Sequence, residues 1–188
     1  MTKRLLVIVL AVLGVVAFLP ASATASPTAP AELRMAAAGI DVATLRPGYT
    51  VSGNEVRWDN GDVRMLFGRE QTGFGPTDIY DCPDLAVCLF ENSNFDDQNH
   101  DGIRDGKRIL ILRGRSTWQD MRWYSFDNKM SSWVNRLSTS RWYENFLPNP
   151  TPSYCMQTQW AYDVLKYAPQ VNDMMSMLWI YEPGAVYC

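Results

Sequence analysis

From Cys82 onward the apolar residues come in short runs separated by turn residues, and that spacing restricts the fold more than any other feature. The runs are Leu85 to Glu91, Arg108 to Leu112, Ser132 to Asn135, Arg141 to Phe146, Tyr154 to Gln157 and Ser176 to Tyr181. Each is long enough for a strand and too short for a packed helix, so the pattern predicts an all-β sandwich or barrel. One interval reads differently. Trp160, Val164 and Tyr167 share a face at helical spacing, which predicts a single helix over Trp160 to Tyr167. Seven Trp, nine Tyr and seven Phe, most of them after residue 80, supply the large side chains of a core.

Upstream, Val56 and Trp58 alternate with polar residues, as do Val63 and Met65, with Asn60-Gly61 between them. Both turn residues tolerate the positive φ of a type I′ turn, so a β-hairpin is expected there. A lone hairpin is marginal in water, so this one must pack on the domain C-terminal to it. Gly73 to Pro76 read as a connector. Residues 26–40 are rich in Ala, Pro, Ser and Thr and read as a flexible lead, with one or two helical turns available between Pro30 and Ala38.

Lys3-Arg4, an unbroken apolar run from Leu5 to Leu19 and small-x-small sites at Ala21-Ser22-Ala23 and Ala23-Thr24-Ala25 have the form of a secretory signal peptide over 1–25. The run falls short of the roughly 18 to 20 apolar residues that span a bilayer. A secreted, extracellular protein with no membrane association after cleavage is expected. The chain has 17 Lys and Arg against 20 Asp and Glu, and loss of Lys3 and Arg4 leaves 15 against 20. An acidic surface disfavours nucleic acid as a partner. The basic run Lys107, Arg108, Arg113 and Arg115 reads as the solvated face of a strand. Four cysteines in an exported chain imply two disulfides, with three pairings open. Cys82–Cys88, closing a loop that Pro83 already bends, and Cys155–Cys188, pinning the chain end, are favoured.

Asp127-Asn128-Lys129-Met130-Ser131-Ser132 gathers oxygen donors into one turn, and Asn172-Asp173-Met174-Met175-Ser176-Met177 repeats it imperfectly. Such a set suits a hard cation such as calcium. These two turns in a short-strand chain resemble the microbial βγ-crystallins. Phe90, Phe95 and Asp97 fit that family's aromatic-x4-aromatic-x-Gly hairpin, with Asp97 in the glycine place. The opening Cys82-Pro83-Asp84-Leu85-Ala86-Val87-Cys88-Leu89-Phe90 resembles the start of the small secreted bacterial metalloproteinase inhibitors, which share the crystallin-like fold.

The resemblance implies a Greek-key sandwich over 81–188, preceded by the hairpin extension and connector at 41–80. It implies calcium bound between two turns, with Asp127, Asn128, Ser131, Ser132 and the Lys129 carbonyl in one, and Asn172, Asp173 and Ser176 in the other. Met177 departs from the pattern, which wants Ser. The competing reading is that Asp127 and Ser131 only cap a turn through hydrogen bonds. It also implies a function: inhibition of an extracellular metalloproteinase, through a rigid segment presented to the protease cleft. Ser153 to Met156, after Pro148, Pro150 and Pro152, is the segment expected to make contact. The alternative is a calcium-binding structural or envelope-associated module with no protease target.

A second acidic stretch places Asp97, Asn99, Asp101 and Asp105 at positions 1, 3, 5 and 9 of an EF-hand-type loop, with Gly102 at 6. Arg108 stands where the closing Glu belongs. For catalysis the inventory is thin. His100 is the sole histidine and has no nucleophile elbow to serve. Glu91 with Asp97, or Asp120 with Asp127, are the carboxylate pairs available to a glycosidase mechanism, with no separation to support them. No enzyme is expected.

Overall fold

The computed structural model describes residues 30–68, 82–96, 105–114, 117–149 and 151–182. Its strands are β1 (Thr50–Ser52), β2 (Glu55–Trp58), β3 (Val63–Leu66), β4 (Ala86–Phe90), β5 (Ile109–Arg113), β6 (Trp118–Asp120), β7 (Ser132–Asn135), β8 (Ser140–Tyr143), β9 (Ser153–Met156), β10 (Trp160–Asp163) and β11 (Met177–Ile180). They form two antiparallel sheets. One runs β1-β2-β3-β5-β4-β7-β10 and the other β6-β11-β8-β9. In the first half of the sandwich β7, β4 and β5 lie side by side while the third strand in sequence, β6, crosses to the other sheet. The second half repeats this with β11, β8 and β9, and β10 crosses back. The result is two Greek keys that exchange their third strands, the all-β sandwich expected.

Six of the predicted strands are present, and the two crossing strands, with β1, account for what the sequence left out. Trp160–Asp163 is strand rather than helix. It pairs with β7 from Trp160↔Asn135 to Asp163↔Ser132. Only Val164–Tyr167 turns helical (α2), with the Asp163 side chain accepting from the Lys166 amide. Sheet pairing outweighs a helical stripe that this short segment cannot propagate alone.

The hairpin is present as β2–β3, but its loop is longer than a two-residue turn. Asp59, Asn60 and Gly61 all take positive φ, at 52°, 57° and 96°. Gly53, at φ 57°, turns the chain into a further strand, β1. This hairpin is continuous with the first sheet, because β3 pairs with β5 from Val63↔Leu112 to Leu66↔Ile109. Within the stretch read as a flexible lead, Ala31–Ala37 forms a helix (α1). Met35 and Ile40 are buried in the same core as Leu89, Leu110 and Leu178. Trp58 anchors the extension: its indole donates to the Arg46 carbonyl at 3.0 Å, and its ring meets Tyr124 edge-on at 5.1 Å.

β4 is buried at all five positions, which explains its continuous apolar run. Val87 and Leu89 face the space between the sheets. Ala86, Cys88 and Phe90 face a second cluster with Leu66, Ile109, Ile111 and Val134. Among the described residues no helix is long and apolar enough to cross a membrane.

Candidate functional site

The two oxygen-rich turns meet. The Asn128 amide donates to the Met175 carbonyl at 3.0 Å, and the Asp173 amide to the Met130 carbonyl at 3.1 Å. Asn128 and Asp173 hold matching left-handed conformations at φ 53° and 56°. Side chains repeat the exchange: Ser131 donates to Asp173 Oδ1 at 3.0 Å, and Ser176 to Asp127 Oδ1 at 2.7 Å. Ser131 and Ser176 are buried, so each turn caps the other across the junction of the Greek keys. Ser132 has a separate task. Its hydroxyl donates to the Asn92 carbonyl at 2.7 Å and accepts from the Phe95 amide at 3.1 Å.

As a cation site the set is incomplete in one respect and suggestive in another. Met177 brings no oxygen, and its sulfur accepts from the Leu147 amide at 3.3 Å. Among the described residues no three His, Cys, Asp or Glu side chains gather as a metal cluster. Asn172 Oδ1, however, is buried without a hydrogen-bond partner there. Burial, with the Glu91 charge adding, holds the Asp173 carboxyl above its usual range, against the Ser131 bond and the Lys129 charge. The orphaned oxygen and the carboxyl in want of positive charge both fit a hard cation.

Of the second acidic stretch, Asp97, Asn99 and Asp101 lie outside the described residues, as does His100. Asp105 is described, and its amide donates to the Asp96 carbonyl at 2.7 Å. Asp96, which the sequence pattern does not single out, is fully buried. Its carboxylate accepts from Asn92 at 3.1 Å, from the Gly106 amide at 3.2 Å and from the Lys107 amide at 3.1 Å, closing the β4–β5 loop at its base. Phe90 and Phe95 stack edge to face at 5.7 Å, as the aromatic spacing implies.

Arg108 corrects the basic-run reading. It is 2% exposed and forks onto Glu91, with Nε to Oε2 at 3.0 Å and Nη2 to Oε1 at 2.8 Å. Its remaining nitrogen reaches the Gly39 carbonyl at 3.3 Å and the Ser125 carbonyl at 2.5 Å. Burial pushes the Glu91 carboxyl up, but the Arg108 bonds outweigh it and leave it below the ordinary value. Glu91 is therefore a structural anion. Asp120 is likewise engaged, by the Arg122 amide at 2.9 Å and guanidinium at 2.6 Å.

The disulfide Cys82–Cys88 is present as expected, with a Cα–Cα distance of 5.8 Å. Cys155 is also disulfide-bonded, and its expected partner Cys188 lies outside the described residues. The Cys82–Cys88 ring carries an unconventional surface residue. Leu85 is 66% exposed and sits at φ 57°. A bulky side chain in that region costs roughly 1–2 kcal/mol. The ring is braced by Arg136, whose guanidinium donates to the Cys82 carbonyl at 2.8 Å and pairs with Asp84. The Arg136 amide bonds the Ala86 carbonyl at 2.8 Å. The segment expected to contact a protease, Ser153 to Met156, is strand β9, at the edge of its sheet and partly exposed at its first three residues. It pairs with β8 along its length, and Met156 is buried.

Residues 75–146 match the sequence pattern of peptidase inhibitor family I36. The stretch contains the disulfide ring, β4 to β8 and the first of the facing turns, and over it the likeness to the small secreted inhibitors is borne out. No curated protein and no solved structure matches the chain.

Proposed function

We propose, taking the peptidase inhibitor family I36 segment at 75–146 as the premise, that this chain is an extracellular inhibitor of metalloproteinases and that the Cys82–Cys88 ring is its contact loop. Leu85 is the observation that carries the reading. An exposed apolar side chain, held in a strained conformation by a covalent ring and an arginine brace, is a prearranged anchor for a pocket on a partner. Because the loop is already ordered, little conformational entropy is lost on association.

The test is residual activity of secreted metalloproteinases, thermolysin-like enzymes first, titrated with the full-length secreted protein. Stoichiometric inhibition is expected. Leu85→Gly removes the anchor and relieves the positive φ, so it weakens inhibition about tenfold or more while leaving the melting temperature equal or higher. Full peptidase activity with the wild-type protein in excess sinks the reading. Inhibition by Leu85→Gly equal to wild type moves the contact elsewhere.

A second reading rests on the orphaned Asn172 Oδ1 beside Asp173: the facing turns hold calcium, and the protein serves as a calcium-stabilised structural module. Asp127, Ser131, Asn172, Asp173 and Ser176 would hold the ion, which would neutralise the two carboxylates and stabilise the native state by binding it preferentially. Thermal unfolding in millimolar calcium and in chelator decides it. Coincident transitions would end this reading.

A further inference from the structure

The two sheets part at one edge, where β9 and β10 are both terminal strands. There they enclose a cleft of about 420 Å³, within the range of small-ligand sites. Each sheet lines it with a stacked aromatic pair. Trp133 and Tyr162 come from the seven-stranded sheet, with ring planes 24° apart. Trp142 and Tyr154 come from the other, 22° apart at 4.2 Å. Trp133 and Trp142 are 4% and 2% exposed and form the floor.

Trp160 is the informative residue. On a strand, side chains two apart share a face, so Trp160 lies on the same side as Tyr162, which packs against the core. Yet Trp160 is 56% exposed. It borders the mouth of the cleft as a large aromatic surface left to solvent.

None of the described residues lining the cleft is charged, so among them nothing compensates a phosphate, a carboxylate or an amine. The polar groups on offer are neutral. Gln157 and Gln170 line the cleft and are exposed, and each carries an amide that both donates and accepts. The Tyr154 hydroxyl is committed to Glu144 at 2.5 Å, and that bond, with some burial, pushes it up to about 12. Its ring face, not its hydroxyl, is what the cleft presents.

We propose that the cleft between β9 and β10 binds a neutral oligosaccharide, with Trp160 stacking on one sugar ring at the mouth and Gln157 and Gln170 bonding its hydroxyls. A pyranose ring has apolar C–H faces that match aromatic walls, and vicinal hydroxyls that both donate and accept, as the two amides require. A proline-rich peptide also suits aromatic walls, but its imide backbone only accepts and would leave the amide oxygens unmatched. The site is separate from the Cys82–Cys88 ring and needs no protease.

The experiment titrates the full-length secreted protein with cellohexaose, laminarihexaose and chitohexaose, followed by tryptophan fluorescence and calorimetry. Decaproline and a sulfated heparin hexasaccharide are the comparison probes. Saturable binding of at least one neutral hexasaccharide is expected, weakened about tenfold in Trp160→Ala and less in Gln170→Ala, with both comparison probes silent. Trp160 is exposed, so its variant should melt like wild type; Gln170→Ala carries the test if it does not. Absence of binding by all three neutral sugars at millimolar concentration overturns the proposal. So does preferential binding of decaproline or of the sulfated sugar, or neutral-sugar binding that both variants leave unchanged.

Discussion

The two Greek keys share one plan and differ at their second strands. In the first, β5 is covered on its outer edge by β3, so the N-terminal hairpin extends the sheet. In the second, the corresponding strand β9 ends its sheet among the described residues, and the cleft opens beside it. The first half thus carries added strands, a buried ion pair and a disulfide ring with a protruding leucine. The second keeps an aromatic opening. One architecture, used twice, yields a sealed face that presents a rigid loop and a parted edge with a cavity. An added hairpin on one side is enough to make the two edges differ, because a sheet edge either pairs or remains available.

Arg108 is where the seal is most easily broken. It joins Glu91 on the β4–β5 loop to the Gly39 and Ser125 carbonyls, linking the N-terminal extension to both β-strand layers. Arg108→Ala removes the guanidinium from Glu91, leaving it the residue-108 backbone amide at 3.2 Å, and takes the Arg108 donor from two carbonyls. A loss of about 3–5 kcal/mol is expected in chemical denaturation. The pH dependence gives a second readout. In the wild type the Glu91 carboxyl lies below its ordinary 4.5. Its contribution is therefore present above that value and is lost as pH falls through the lowered folded value. In Arg108→Ala only the residue-108 amide and the Lys107 charge still oppose burial, so the carboxyl rises relative to wild type and the variant should lose less stability on mild acidification. A variant that tracks the wild-type acid profile would show that the pair does not hold the N-terminal extension onto the sandwich.

Asn135 tests the junction between the halves. It is fully buried at the end of β7. Its amide donates to the Ser138 carbonyl at 2.6 Å and to the Met156 carbonyl at 2.8 Å on β9, and its oxygen accepts from the Leu137 amide at 3.1 Å. Asn135→Ala strands all three partners and should cost about 2–3 kcal/mol. If the cost is confined to the second half, amides of β9 and β10 will exchange faster than those of β4 and β5.

Strand position decides which elements were legible in the sequence. β4, β5, β7, β8, β9 and β11 build the shared part of each key, and their apolar runs are continuous or alternate clearly. β6 and β10 are the strands that cross over, and both end as sheet edges. Trp118–Asp120 has only three residues, too few to show a period. Trp160–Asp163 alternates correctly, but Val164 and Tyr167 extend it into a false helical stripe. Among the site residues, the meeting of the two turns was readable because composition repeats. The burial of Arg108 and Asp96 was not. A charge in a basic or acidic run looks solvated until its partner arrives from a distant segment, here Glu91, seventeen positions away. Leu85 was hidden for a related reason: its spacing fits a strand, and only the ring closure turns it outward.

Asp173 gives the smallest effect and the sharpest separation between the two turns. Burial and the nearby Glu91 charge raise its carboxyl above the ordinary value, so the ionised form destabilises the fold at neutral pH and that penalty is relieved as pH falls through the raised folded value. Asp173→Asn keeps an acceptor for Ser131, suits φ 56° at least as well, and removes the charge. In chelator it should be slightly stabilising, the effect reduced by solvent screening at this exposed residue, with the gain vanishing at acid pH. Asp127 accepts from Ser176 at 2.7 Å and is half-buried, so Asp127→Asn, which keeps an acceptor there, is the matched comparison for the other turn. Calcium reverses the ranking if it binds: Asp173→Asn then loses the thermal shift that the ion gives the wild type. A variant more stable in chelator and indifferent to calcium, set against a wild type also indifferent, assigns the facing turns to holding the Greek keys together and nothing more.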